Sequence, residues 1–279
     1  MELVSGHARF GLDGAIGARH SLNANLEVKL GEVRGQYAET GFAGAAADGV
    51  LTLANGVAEG SASVKADALE YGIEITNLAC ELDFKLPGTA ARPRFRARNC
   101  RARTLGSRLA APDFVYDMNR RENRLQLEVT GLDIAQVLAL QEFAGLEATG
   151  RLDGALPLAL DGRGLRIIGG ALRNQSAGVI RYRVDPEQAA AAAAPLTDIV
   201  TAALSDFRYD RLTAAVDYAP EGDLHVDFHI EGSSPNFENS RRVNLNVSSE
   251  QNILSLLRSL DYAAGLNRQI DDKLRNHLE

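Results

Sequence analysis

Tryptophan is absent from the 279 residues, aromatic residues make up only 6%, and Lys29, Lys65, Lys85 and Lys273 are the only lysines. So few large rings fit an apolar surface lined by Leu, Val and Ile rather than a compact core filled by large rings. No run of about 18 apolar residues occurs, which excludes a transmembrane helix within the chain. No cleavable signal pattern follows Met1: Glu2 to His7 already reads as strand, so the sequence is expected to start inside a longer protein, and Leu278-Glu279 reads as a cloning remnant. Two cysteines are too few for a disulfide scaffold. The chain holds no Gly-x-Ser-x-Gly, no phosphate loop, no His-Glu-x-x-His and no Cys-x-x-Cys. Catalysis, a metal and a cofactor are therefore not expected. A net charge of −7 argues against general nucleic-acid binding. What is present is 45% hydrophobic residues, 24% charged residues and 26 glycines, an ordinary globular balance enriched in glycine.

Strict alternation dominates. Leu224, Val226, Phe228 and Ile230 fall on one face, with His225, Asp227, His229 and Glu231 on the other. Leu26, Val28 and Leu30 alternate with Asn25, Glu27 and Lys29, and Leu125, Leu127 and Val129 with Arg124, Gln126 and Glu128. Val243, Leu245 and Val247 repeat the pattern, as do Leu156, Leu158 and Leu160. A period of two with one apolar set predicts an antiparallel sheet with one dry face. Asp13-Gly14, Asp48-Gly49, Asn55-Gly56, Asp153-Gly154 and Asp161-Gly162 predict hairpin turns.

Helical character interrupts the strands three times. Asp133 caps a predicted helix over 133–143 that ends at Gly145. Asp185-Pro186-Glu187 opens an alanine-rich helical insertion over 185–205, kinked at Pro195. Ile253, Leu254, Leu256, Leu257 and Leu260 form the apolar stripe of a C-terminal helix over 250–276. A seam near 130–150 divides the chain into an N-terminal part, 1–130, and a C-terminal part, 131–279.

Three clusters are candidates for chemistry. His225, Asp227 and His229 share a strand face, but the histidines lie roughly 13 Å apart by strand rise, so one ion would need a third ligand between them. The face reads as solvated. His7, His20 and His277 have no acid or nucleophile nearby in sequence. Arg92, Arg94, Arg96, Arg98, Arg101, Arg103 and Arg108 crowd one stretch, and the first four share a face on which an anionic headgroup or phosphate could dock. With no aromatic interleaving beyond Phe95, a solvated, edge-protecting face is the simpler reading. Cys80 and Cys100 admit two registers. A turn centred at residue 90 sets them opposite one another, as a disulfide requires, whereas a shift by one residue pairs Phe84 with Phe95 and separates them.

Gly131-Leu132-Asp133-Ile134 and its helix, followed by Thr149-Gly150-Arg151-Leu152-Asp153-Gly154-Ala155-Leu156-Pro157-Leu158, resemble the AsmA-like, TamB-related envelope proteins. The run from Gly232 through Arg241-Arg242-Val243-Asn244-Leu245-Asn246, with Glu250-Gln251-Asn252-Ile253-Leu254-Ser255-Leu256-Leu257, is similar to the end of YdbH-family proteins, a region also labelled a dicarboxylate transport domain. The resemblance covers roughly residues 123–262. It implies a mainly β, long curved antiparallel sheet whose apolar groove, lined by the alternating residues above, shields phospholipid acyl chains between the inner and outer membranes. It also implies a periplasmic protein anchored in the inner membrane by a helix outside this sequence. The partner it implies is a small outer-membrane lipoprotein that adds a strand at Val243, Asn244, Leu245, Asn246 and Val247. Two alternatives stand beside this: a scaffold that assists outer-membrane protein assembly through its strand edges, and a small-molecule or dicarboxylate binding domain. The last would want convergent buried arginines, which surface-facing arginines do not supply.

Overall fold

A computed structural model describes residues 2–16, 22–37, 40–54, 57–87, 92–140, 145–183, 203–237 and 240–260. Five long strands open the chain: β1 (Glu2–Ile16), β2 (Leu22–Tyr37), β3 (Thr40–Ala54), β4 (Val57–Tyr71) and β5 (Ile73–Pro87). Next come β6 (Arg94–Thr104), β7 (Ser107–Ala111), β8 (Phe114–Asp117) and β9 (Glu122–Asp133). After α1 (Ile134–Leu138) follow β10 (Leu146–Ala148), β11 (Arg151–Asp161), β12 (Gly164–Asn174) and β13 (Gly178–Tyr182). β14 (Phe207–Tyr218), β15 (Asp223–Ser233) and β16 (Arg242–Asn252) complete one open antiparallel sheet of 16 strands. β7 and β8 succeed one another along β6, and β12 and β13 likewise share β14. β9 bonds to β7 on one side and to β11 on the other, so the ladder runs without a break past residue 130.

Most of the Asp-Gly pairs are not turns. Gly14, Gly49 and Gly154 lie inside β1, β3 and β11; Asp161-Gly162 does connect β11 to β12, and Asn55-Gly56 lies outside the described residues. Gly49 and Gly154 answer to close approach instead. A Cβ at Gly154 would stand 2.0 Å from the Ala171 carbonyl oxygen, and one at Gly49 3.0 Å from both the Ala62 Cβ and the Ser61 oxygen.

The first helix is shorter than the sequence predicts, and the C-terminal one starts later. Asp133 accepts from the Ala135 N–H at 3.0 Å as a cap, but α1 ends at Leu138; residues 141–144 lie outside the described set. At the C-terminus Ser249 to Asn252 stay in the ladder against β15, and the helix starts at Ile253, capped by the Asn252 carboxamide on the Ser255 N–H at 2.9 Å; it is described over 253–260, and the rest of the predicted helix, 261–276, lies outside the described residues. The ladder wins these four residues because each gains a cross-strand partner. Of the alanine-rich insertion predicted over 185–205, residues 185–202 lie outside the described residues. At its end Ala203 is buried and Leu204 packs on the core.

Helix 253–260 also reports the curl of the sheet. Its Leu254 packs at Gly222, in the turn between β14 and β15, while the backbone of Leu257 abuts Gly72, between β4 and β5. Residues three apart on one helix lie within about 6 Å. Turns far apart in the strand order therefore meet on two turns of helix.

The core sits in the later strands. Val129, Leu152, Leu172, Phe207, Tyr209, Leu212, Ala214, Val216 and Ile230 pack together, with Phe207 at 0% and Tyr209 at 1% exposure. The Tyr209 hydroxyl donates to the Thr149 carbonyl oxygen at 2.7 Å, which satisfies the one polar atom of that ring. Tyr209→Phe should cost about 1 kcal/mol of unfolding free energy by orphaning that carbonyl, and Tyr209→Ala about 3–5 kcal/mol through the cavity, both read from urea unfolding.

Candidate functional site

The register carries one face of the sheet from β1 to β16. In the first half, Phe10 stands opposite Val28, then come Gly49, Ala62, Leu82 and Ala97; one row over run Leu12, Leu26, Leu51, Gly60, Phe84 and Phe95. Cys100 opposite Ala111 and Ala102 opposite Leu109 carry the face across β6 and β7. In the second half the row reads Leu109, Val129, Gly154, Leu172, Ala214, Phe228 and Val247. Leu127 faces Leu156, Leu125 faces Leu158, Val216 faces Val226, Tyr218 faces Leu224 and Ile230 faces Leu245. Leu160 extends the set on β11, opposite Asn123 and Leu165, and Val243 extends it on β16, opposite Gly232. The alternating residues of the sequence thus share one side.

That side is covered unevenly. Val129 and Ile230 are buried; Leu224, Val226, Phe228, Val243 and Leu245 pack against the core, and Leu125, Leu127, Leu158 and Leu160 are half-buried. Toward β1 the cover falls away: Leu26 and Val28 are half-buried, while Phe10 is 65% and Leu12 73% exposed. An apolar hollow of about 460 Å³ lies there among Leu3, Ala8, Leu30, Val33 and Phe42. Sequence reading passed over Phe10, Leu12 and Leu51, because glycine and alanine at neighbouring inward positions blur the alternation of these strands. It also passed over Phe207, Tyr209, Leu212 and Val216, because a bulge at Asp210-Arg211 breaks the phase of the alternation in β14.

A line of irregularities crosses the first six strands. Glu32, Asn77 and Asn99 each have φ of 53°, Gly44 has 61°, and the ladders shift register beside them. Bulges of this kind bend a strand and increase its twist. The Asn99 bulge resolves the cysteine registers. Phe84 pairs with Phe95, and four residues away along β5 and five along β6 Cys80 and Cys100 are joined in a disulfide, because the extra residue moves position 100 inward. The two registers open to sequence reading coexist on one strand pair.

The opposite face is charged. His225 contacts Asp227 at 3.2 Å and Glu250 at 3.4 Å, and His229 meets Asn246 at 2.7 Å; no group of ligands able to hold a metal occurs among the described residues. Arg242 hydrogen-bonds Asp210 and holds its carboxyl below the usual aspartate range. The Ser248 hydroxyl, donating at 2.5 Å, does the same for Asp227. Both pairs tie β16 to the sheet. Arg96 pairs with Asp113 and Arg98 with Asp83, so this part of the arginine run is internally compensated. No helix among the described residues is long and apolar enough to cross a membrane.

A family model described as YdbH-like, intermembrane phospholipid transport protein YdbH, matches residues 1–275. The match takes in the first 120 residues, beyond the stretch whose wording carries the sequence resemblance. No curated protein and no solved structure matches the chain.

Replacing Cys80 and Cys100 together by Ser should cost about 3 kcal/mol, the loop-closure value for a sequence separation of 20. Urea midpoints with and without reductant should differ in the parent and coincide in the variant.

Proposed function

The chain belongs to the YdbH-like family of intermembrane phospholipid transport proteins, and from that premise we propose that its apolar face shields phospholipid acyl chains while their headgroups remain in water. Membership supports a setting in the cell envelope, between two membranes, with phospholipid transport as the activity. The observation that carries the finer reading is the uneven cover of a single continuous face. From β9 onward the protein covers much of this face itself, around Phe207 and Tyr209. From β1 to β6 the same face offers Phe10 and Leu12, both exposed, beside the half-buried Leu26, Val28 and Leu51. Each acyl methylene removed from water gains about 0.8 kcal/mol, so even partial cover on such a surface holds a lipid chain. An open sheet lets the headgroup stay hydrated throughout, where a closed cavity would have to strip it. The bulge line favours the same use, since it curls the long strands around the apolar side. In the full-length protein we place an inner-membrane anchor outside this sequence.

A photo-crosslinking residue at Val28 or Leu51 should capture phospholipid in cells, and one at the buried Val216 should not. Adducts to protein alone at the first two positions would sink the assignment.

A second contact is proposed at β16. This strand bonds only to β15 among the described strands, and its other edge can accept an added strand. A small outer-membrane lipoprotein pairing along Val243 to Val247 fits that edge. A crosslinker at Asn244 should yield an adduct to such a lipoprotein, identified by mass spectrometry, and one at Arg173 on the interior strand β12 should yield none. Equal labelling at both positions would count against strand addition.

A further inference from the structure

The arginine-rich stretch divides into two electrically different halves at the Asn99 bulge. Before it, Arg94 stands opposite Asp117, Arg96 pairs with Asp113 at 2.6 Å and Arg98 with Asp83 at 3.0 Å. Beyond it the compensation stops. Arg101 and Arg103 on β6, Arg108 on β7 and Arg151 on β11 are exposed on the charged side of the sheet, and none of them forms an ion pair among the described residues. Arg103 stands directly opposite Arg108 in the ladder. Like charges in that position destabilise a strand pair, so the protein holds a repulsive contact that a bound anion would turn into an attractive one.

The surface around this pair is hollow. One concavity of about 550 Å³ extends from Arg103 and Arg108 to Arg151, Gln136 and Gln175; a second, of about 570 Å³, extends from the same two arginines to Arg101 and Asn77. Nearby polar groups are already committed. The Thr104 hydroxyl donates to the Glu74 carbonyl oxygen, the Ser107 hydroxyl to the Thr104 carbonyl oxygen, and the Gln175 amide to Asp153. The acids nearest the site are Asp133, directly opposite Arg151, Asp153, which accepts from the Gly131 N–H and the Gln175 amide at the first hollow, Glu74 at its rim, and Glu128, opposite Ala110; none forms an ion pair with these arginines. The donors left uncommitted are the guanidinium N–H groups together with the Gln136 carboxamide.

We infer that Arg103 and Arg108, flanked by Arg101 and Arg151, form a binding site for a phosphate group on the side of the sheet opposite the apolar rows. Two facing guanidinium forks match the several oxygens of one phosphate, whereas a single carboxylate fills only one fork. The site is independent of the acyl-chain surface and holds whether or not lipid binds there.

Thermal unfolding of the whole chain in inorganic phosphate, against sodium chloride at equal ionic strength, tests the inference. The parent should show a saturable, phosphate-specific rise in Tm. Arg103→Gln should weaken phosphate binding about tenfold or more, and without phosphate its Tm should equal or exceed the parent's, because the repulsion is gone. Arg96→Gln, in the compensated half, should keep the phosphate response. Sedimentation with phosphatidylglycerol vesicles identifies the source: pelleting that Arg103→Gln abolishes assigns the site to a lipid headgroup, and saturation by inorganic phosphate without pelleting assigns it to free phosphate. No phosphate-specific shift, an equal shift in Arg103→Gln, or an equal shift with chloride or succinate would overturn the site.

Discussion

Every part of this molecule depends on the antiparallel ladder keeping the side-chain alternation of all its strands in phase. A slip of one residue would turn a row such as Glu81, Asp83 and Lys85 inward and expose Leu82 and Phe84 in its place. Long strands make the constraint severe, because a twisting ladder accumulates strain over fifteen residues. The bulges at Glu32, Asn77 and Asn99 relieve it locally by inserting a residue, and the side chains beyond them return to the correct face. At Asn99 that insertion lets an aromatic pair and a disulfide occupy the same strand pair.

The same face plays two physical roles along its length. In the later strands it behaves as an ordinary core: Phe207 and Tyr209 supply bulk, and Leu152, Leu172, Leu212 and Val216 close around them. In the earlier strands small residues at Gly49, Gly60 and Ala62 leave no bulk to close with, and the neighbouring Phe10 and Leu12 stay exposed. A large contiguous apolar surface in a water-facing protein marks a binding surface. Helix 253–260 joins the two regimes mechanically, since Leu254 and Leu257 touch turns that belong to each.

The charged side is arranged to keep that apolar side exclusive. Lys29 pairs with Asp48, Lys85 with Glu59, Arg98 with Asp83, and Arg166 with both Glu122 and Asp161. Exposed pairs of this kind stabilise little one by one, but a mis-registered sheet would have to bury them unpaired. Against such regular compensation, the Arg103 and Arg108 juxtaposition stands apart as charge not spent on holding the sheet together.

Strand identity and facing were legible in the residues alone, because alternation is a property of each strand by itself: β15, β16 and β9 read directly from Leu224 to Ile230, Val243 to Val247 and Leu125 to Val129. So was family membership, through the motifs of the second half. The Asp-Gly pairs misled because glycine serves a turn and a close strand contact equally well, and only the neighbour across the ladder, Ala171 for Gly154, tells them apart. Helix ends misled where the ladder competed for Ser249 to Asn252. Which rows would be buried, that Cys80 would meet Cys100 and that Arg103 would confront Arg108 were decided by tertiary structure. Each depends on register and curl, and these come from bulges and contacts between residues far apart in sequence, which no local pattern encodes.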